Sequence, residues 1–373
     1  MASNIANTVN FGTTGLNVGD YTYSLYALSA PGYLPLNSYT NSYLVSSYPA
    51  LGALVVPVIT PVSFTATSRS VQSRSWYGVA YGNGIWVGVG IDPAISTSPD
   101  GITWTARTSP GTGFQWYSVT FGNGVFVAVA RYSGAVPAAT NQCATSTDGI
   151  TWTLRTMPST SQWYSVTFGN GKFVAIVQNS TSAATSSDGI TWTAATLPSA
   201  IAWTSITYGN GVYVAIAYNG STATSANGTT WVAGNAMPIA TGWYSITYGN
   251  GVFAAVSGTP NGTSAATSTN GIDWTARTLP SSQSWIAVTY GNNTFVAIAT
   301  GSTAAASSPD GVTWTARTVP SGQWNCIGFG GGKFVTLIST GTGATIDYAV
   351  NATSFLFPNV QTLTGTTAYI KAT

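Results

Sequence analysis

Side chains able to do acid, base or metal chemistry are scarce in this sequence. There are eight carboxylates and ten basic side chains in 373 residues, and no histidine. The acids are all aspartates (Asp20, Asp92, Asp100, Asp148, Asp188, Asp273, Asp310 and Asp347), so glutamate is absent as well. Four of them recur in one setting, Ser-x-Asp-Gly-x-Thr-Trp, pairing Asp100 with Trp104, Asp148 with Trp152, Asp188 with Trp192 and Asp310 with Trp314. Two further copies place Asn227 before Trp231 and Asn270 before Trp274. An Asp or Asn oxygen in such a turn can accept the backbone N–H groups that follow it, while the aromatic ring wedges against a neighbouring copy. Asn keeps that hydrogen bond and loses the charge, which opposes a catalytic or calcium role. These twelve residues are expected to be structural.

Of the seven arginines, Arg107, Arg155, Arg277 and Arg317 occupy one repeated place, and Arg69, Arg74 and Arg131 fall on connections. Hydrolysis of an acidic sugar's glycoside needs a cluster of arginines for the substrate carboxylate with an acid and a Glu-assisted Tyr nucleophile, and a structural zinc needs a cluster of cysteine and histidine. With no His, no Glu and two cysteines, neither set is visible. The expectation is no enzyme, no metal site and no cofactor.

The elements that carry these residues repeat. An opening tryptophan recurs at Trp76, Trp116, Trp163, Trp203, Trp243, Trp285 and Trp324, with gaps of 40, 47, 40, 40, 42 and 39 residues. Between successive tryptophans come an alternating strand, a Gly-Asn-Gly turn, an apolar run, a small-residue strand, the Asp or Asn turn and a last strand. Asn83, Asn123, Asn170, Asn210 and Asn250 supply the hairpin residue, because Asn-Gly accepts the positive φ angles of a tight turn. One four-stranded unit cannot bury both its faces, so the copies must stack. The pattern predicts an all-β fold, a seven-bladed β-propeller of four-stranded antiparallel blades over residues 63–350. A linear β-solenoid is the competing repeat architecture, though it has shorter coils and no hairpin turn at every copy.

Charged residues make up 5% of the chain and aromatics 13%, so Ser, Thr, Asn and Gly must cover the surface. A net charge of +2 offers no basic patch for nucleic acid. The apolar run Leu51 to Ile59 contains Pro57 and is too short to span a bilayer, and the first ten residues lack the pattern of a secretory signal. Cys143 and Cys326 fall on different strands of different copies and are expected to be separate buried thiols.

Residues 1–62 and 351–373 lie outside the repeat. Pro31-Gly32-Tyr33-Leu34, Tyr48-Pro49-Ala50-Leu51, Ser354-Phe355-Leu356-Phe357-Pro358-Asn359 and Ala368-Tyr369-Ile370-Lys371 resemble short motifs of the phage tail-collar family. Pro35-Leu36-Asn37 stands where that family usually has Cys-Asp-Gly. The Asp and Asn turns are similar to the Asp-box of sialidase-like propellers, one residue shorter in spacing. These resemblances imply a propeller inserted in a small base domain formed by both termini, in a virion protein of a bacteriophage. They imply that its base meets other tail proteins, with assembly in the host cytoplasm; a homo-oligomer is compatible with that setting. Ser63 to Thr67 reads like Thr103 to Arg107, so Phe64 is the favoured start of the strand that closes the last blade; Asn351 to Phe355 is the rival.

The turns holding Asn-Gly and Asp are dictated by geometry and nearly constant, whereas the opposite face varies from copy to copy. Binding is therefore expected there, around Arg131, Tyr132, Tyr218 and Asn219. A surface of Tyr, Asn, Ser and Thr suits stacking on sugar rings and hydrogen bonding to hydroxyls. The function expected is a tail fibre or receptor-binding component that binds host surface glycan. The alternatives are a purely structural capsid or tail decoration protein and a bacterial surface lectin or adhesin.

Overall fold

The computed structural model describes residues 22–23, 39–40, 56–57, 60–72, 74–91, 94–133, 139–240, 242–259, 262–338, 342–351 and 355–356. Two compact units divide the chain: Phe64–Tyr348, and Met1–Ser63 together with Ala349–Thr373. In the second unit, Thr22–Tyr23 pairs with Tyr39–Thr40, and Val56–Pro57 pairs with Phe355–Leu356. Apart from Phe355 and Leu356, the tail-collar-like motifs at both termini lie outside the described residues.

In the larger unit each tryptophan opens a four-stranded antiparallel sheet. Blade three shows the plan: Trp163–Gly169, Lys172–Val177, Ser180–Ser186 and Thr193–Ile201 follow one another in both sequence and space. Five more blades repeat it, at 76–107, 114–161, 203–233, 243–283 and 285–322. A further four-stranded sheet orders Trp324–Gly330, Lys333–Ile338, Thr342–Asn351 and then Thr60–Ser70. This corrects the expectation of a seven-bladed propeller. Six are continuous stretches of chain, and the remaining sheet is assembled from both ends of the repeat region. Its fourth strand holds Phe64 and not the rival Asn351 to Phe355, and the Arg317 guanidinium lies 5.6 Å from the Phe64 ring centroid.

Burial explains why the second strands read as unbroken apolar runs. Phe173 to Val177 are all buried, because a blade has a neighbour on both faces. The seven opening tryptophans are at most 1% exposed. A second seam runs along the ends of the first strands. Gly82 leaves no room for a Cβ beside the Phe121 ring, and the same holds for Gly169 against Tyr208 and Gly330 against Tyr81. That last contact joins the composite sheet to blade one. Cys143 and Cys326 are both buried and free, and burial pushes each thiol up to about 12.

Candidate functional site

The first strand of every four-stranded sheet carries the same irregularity. Pairing with the second strand slips just after the tryptophan, as between Trp163 and Ser165 or between Trp243 and Ser245. The residue in the slip is an unpaired bulge position, and bulges re-aim side chains. These positions hold Tyr77, Tyr117, Tyr164, Thr204, Tyr244, Ile286 and Asn325. Their side chains meet from blade to blade. Tyr77 stacks on Tyr117 at 4.5 Å, and Tyr117 lies 4.5 Å from Tyr164 with a 3.2 Å bond between their hydroxyls. Where the residue is shorter it bonds the next backbone instead: Thr204 Oγ1 donates to Trp243 O at 2.9 Å and Asn325 Nδ2 to Trp76 O at 2.9 Å.

Arg131 caps this belt. Its guanidinium lies 5.0 Å from the Tyr117 ring centroid and 5.2 Å from that of Tyr164, within cation–π range, and Nη2 donates to Gln178 Oε1 at 2.7 Å. Burial raises the Tyr117 and Tyr77 phenols above the ordinary tyrosine range, with Arg131 pulling the other way. Tyr77 and Tyr117 are therefore neutral at physiological pH, and Tyr117 donates its hydroxyl to Tyr164. On blade four, Tyr218 is 38% exposed and meets Tyr244 edge-on, with centroids 5.5 Å apart. Asn219 Oδ1 accepts Ser221 N at 3.0 Å.

Of the four residues expected to bind, Arg131 and Tyr218 therefore join one aromatic belt, and Asn219 follows Tyr218 in sequence. The backbone of Tyr132 pairs with Gln115, and its side chain lies outside the described residues. Arg131 belongs to the strand Val125–Ser133 and not to a loop, because that strand carries its own bulge between Ala130 and Tyr132. The belt tyrosines Tyr77, Tyr117, Tyr164 and Tyr244 were not anticipated. The Trp-Tyr pair opening most first strands was the available signal.

The Asp and Asn turns are built as their residue types require. Asp188 Oδ1 accepts the N–H groups of Ile190 and Thr191 at 2.8 Å each, and Ser186 Oγ donates to it at 2.9 Å. Asp100, Asp148 and Asp310 repeat this, and Asn227 and Asn270 accept the equivalent pair at 2.9 Å. Trp104, Trp152, Trp192, Trp231 and Trp314 each donate Nε1 to the carbonyl of the turn glycine. Trp274 departs from this, its indole N–H buried without an acceptor.

The Gly-Asn-Gly hairpins are more than turns. Asn83 Nδ2 donates to Thr147 O at 2.9 Å and Asn123 Nδ2 to Ser187 O at 3.0 Å, tying each hairpin to the next blade's Asp turn. The arginines Arg107, Arg155, Arg277 and Arg317 each bond a Thr or Ser hydroxyl of their own blade's third strand.

The turn N–H donors, Thr191 first, hold the Asp188 carboxyl below its ordinary value. A depressed carboxylate contributes stability above its unfolded value of about 3.9, and that share is lost as pH falls through the folded value. Asp188→Asn is therefore expected to melt close to the parent at pH 7 and to lose less stability than the parent below about pH 4. Parallel melting curves at the two pH values check this. Abolished ligand binding with unchanged melting would give Asp188 a functional role instead.

The architecture is an all-β propeller with an aromatic belt at the bulge end of its innermost strands. No family model matches the sequence, and no curated protein matches it. Solved structures share the fold. Virginiamycin B lyase from Staphylococcus aureus has a TM-score of 0.67 at 15% identity, covering 76% of this chain and 99% of that one. A catalytically inactive histidine-to-alanine variant of that lyase with quinupristin gives 0.67 at 16% identity, covering 76% and 99%. YCF48 bound to D1 peptide gives 0.59 at 19% identity, covering 79% and 97%.

At these identities the likeness is one of fold. It still corrects the expectation that the chain is not an enzyme. Structures with this architecture include a lyase, so the architecture itself does not exclude a reaction. The present chain contains no histidine, so it has no counterpart to the residue changed in that variant.

Proposed function

We propose that this chain is a receptor-binding component of a bacteriophage virion, whose propeller holds a host-surface carbohydrate at the tyrosine belt. The observation that carries the binding part is the convergence of Tyr77, Tyr117 and Tyr164 under the Arg131 guanidinium. Phenol rings offer flat apolar faces with a polar edge, and a sugar ring has apolar C–H faces with hydroxyls around its rim. Gln178, Tyr218 and Asn219 add neutral polar groups at the same end. The virion setting is supported by the terminal motifs that resemble the tail-collar family, through which the chain would meet other tail proteins.

The test uses the full chain, an array of host-surface oligosaccharides and adsorption to host cells. Alanine at Arg131, Tyr132, Tyr218 and Asn219 together is expected to weaken binding about tenfold or more, which is about 1.4 kcal/mol, with melting unchanged. Bound sugars recovered from the same assay are analysed for chemical change, which reports any turnover. Full binding by the quadruple variant, or a ligand seated on the Gly-Asn-Gly end, overturns the reading. Absence of binding to any saccharide would favour the purely structural role.

A further inference from the structure

The side-chain amides of the Gly-Asn-Gly hairpins are not all held alike. Asn83, Asn123, Asn170, Asn210 and Asn250 are exposed, sit at φ 46–48°, and are each followed by glycine. Four of them reach the next blade. Asn83 Nδ2 donates to Thr147 O, Asn123 to Ser187 O, Asn210 to Thr269 O and Asn250 to Pro309 O, at 2.9–3.2 Å. The acceptor always immediately precedes the Asp or Asn of the turn, so the counterpart for Asn170 is Ala226 O. That bond is not made. Among the described residues the Asn170 side chain has no hydrogen-bond partner.

Blade four fastens this hairpin in another way. Tyr213 stands where the other blades have phenylalanine or tryptophan, and its hydroxyl donates to Gly169 O and lies 3.4 Å from Lys172 O. The backbone flanking the turn is held, and the Asn170 amide stays unclamped. Asn123 Nδ2 also lies 3.4 Å from Gly171 O, just as Asn83 Nδ2 does from Gly124 O, so that contact does not set blade three apart.

An Asn-Gly step can lose its side-chain amide. The glycine backbone nitrogen attacks the asparagine Cγ; an N–Cγ bond forms, and the Cγ–Nδ2 bond breaks as ammonia leaves with the proton of that nitrogen. Water then opens the succinimide at either carbonyl, leaving aspartate or isoaspartate. In the hairpin the ladder joins Gly169 to Lys172, so the Gly171 N–H lies outside it. Ring closure needs the amide to swing toward that nitrogen, and a clamp onto the next blade opposes the swing. The other four Asn-Gly steps have their nucleophile occupied. Gly220 N donates to Ala217 O at 2.9 Å and Gly262 N to Thr259 O at 3.0 Å. Gly228 N and Gly271 N donate to the hydroxyls of Ser225 and Ser268 at 2.9 and 2.8 Å.

We propose that Asn170 is a site of spontaneous deamidation, the first of the nine Asn-Gly steps in this chain to convert, with water as the co-reactant. Conversion places a negative charge on the blade-three hairpin, two residues before Lys172. It is independent of what the tyrosine belt binds.

The full chain, incubated at mildly alkaline pH and followed by peptide mapping with mass spectrometry, tests it. The mass gain of amide-to-acid conversion is expected at Asn170 about fivefold faster than at Asn83, Asn123, Asn210 and Asn250, the effect of one ordinary hydrogen bond. Guanidinium chloride removes every clamp, and there the five hairpin steps are expected to convert at similar rates. On ion exchange the folded chain is expected to give one early acidic form. Asn170→Gln, whose longer side chain closes a ring far more slowly, is expected to remove it. Equal conversion at the five hairpins of the folded chain, or earlier conversion at any other Asn-Gly step, overturns the proposal. A lead for Asn170 that persists undiminished in guanidinium chloride also overturns it, because the cause would then be the local sequence and not the missing clamp. So does a folded chain whose Asn170 stays intact over a time in which the denatured chain converts.

Discussion

Deleting residues 1–70 is expected to destabilise the whole propeller, while deleting residues 1–25 leaves its melting temperature nearly unchanged. The larger deletion removes Thr60–Ser70, the outer strand of the composite sheet, and with it the Phe64 ring beneath Arg317. The Thr342–Asn351 strand then becomes an open edge, and the last sheet no longer ties the two ends of the repeat region together. The neighbouring seams, Trp324 against its blade and Tyr81 on Gly330, depend on that sheet staying in place. Near-equal melting of the two truncations would show that the strand is not a clasp.

The second large effect is expected at an opening tryptophan. Trp163 is fully buried, and its indole N–H donates to Ser159 O at 3.2 Å. Trp163→Ala removes a large side chain from between blades and leaves a carbonyl to be rehydrated, a loss of about 3–5 kcal/mol. Trp192→Ala is expected to cost less, because Trp192 is only half-buried and sits at the rim of its turn. Chemical denaturation of both variants at pH 7 gives the order. A milder effect at Trp163 than at Trp192 would mean the inner seam can collapse around the loss.

What could be read in the sequence follows from how local each feature is. The Asp and Asn turns were legible because their hydrogen bonds close within three residues, as Asp188 to Thr191 shows. The strands and hairpins were legible for the same reason: the Asn residues at φ 46–48° are a local requirement. The closing strand was visible through the likeness of Ser63 to Thr67 to the outer strands, since it performs the same packing task. The tyrosine belt was not legible. The recurring Trp-Tyr pair marks its residues, but a bulge changes where a side chain points, and strict alternation does not show that Tyr77, Tyr117 and Tyr164 meet. Arg131 was singled out as part of a long connection, and the tyrosines beneath it come from strands 14 and 33 residues away in the chain. The clamp from Asn83 to Thr147 was hidden likewise, because it joins residues 64 apart.

The composite sheet also has a consequence in time. Thr60–Ser70 leaves the ribosome well before the strand it joins, Thr342–Asn351. At about 5–20 residues per second the early strand waits on the order of tens of seconds for its partner. Through that interval its backbone donors and acceptors have no native sheet to enter, and the blades between accumulate as an open arc with two raw ends. Closure is thus a late event between distant segments, slow by its topology. A nascent chain on a neighbouring ribosome offers the same raw ends, so crowding on one messenger favours strands exchanged between copies over rings closed on themselves.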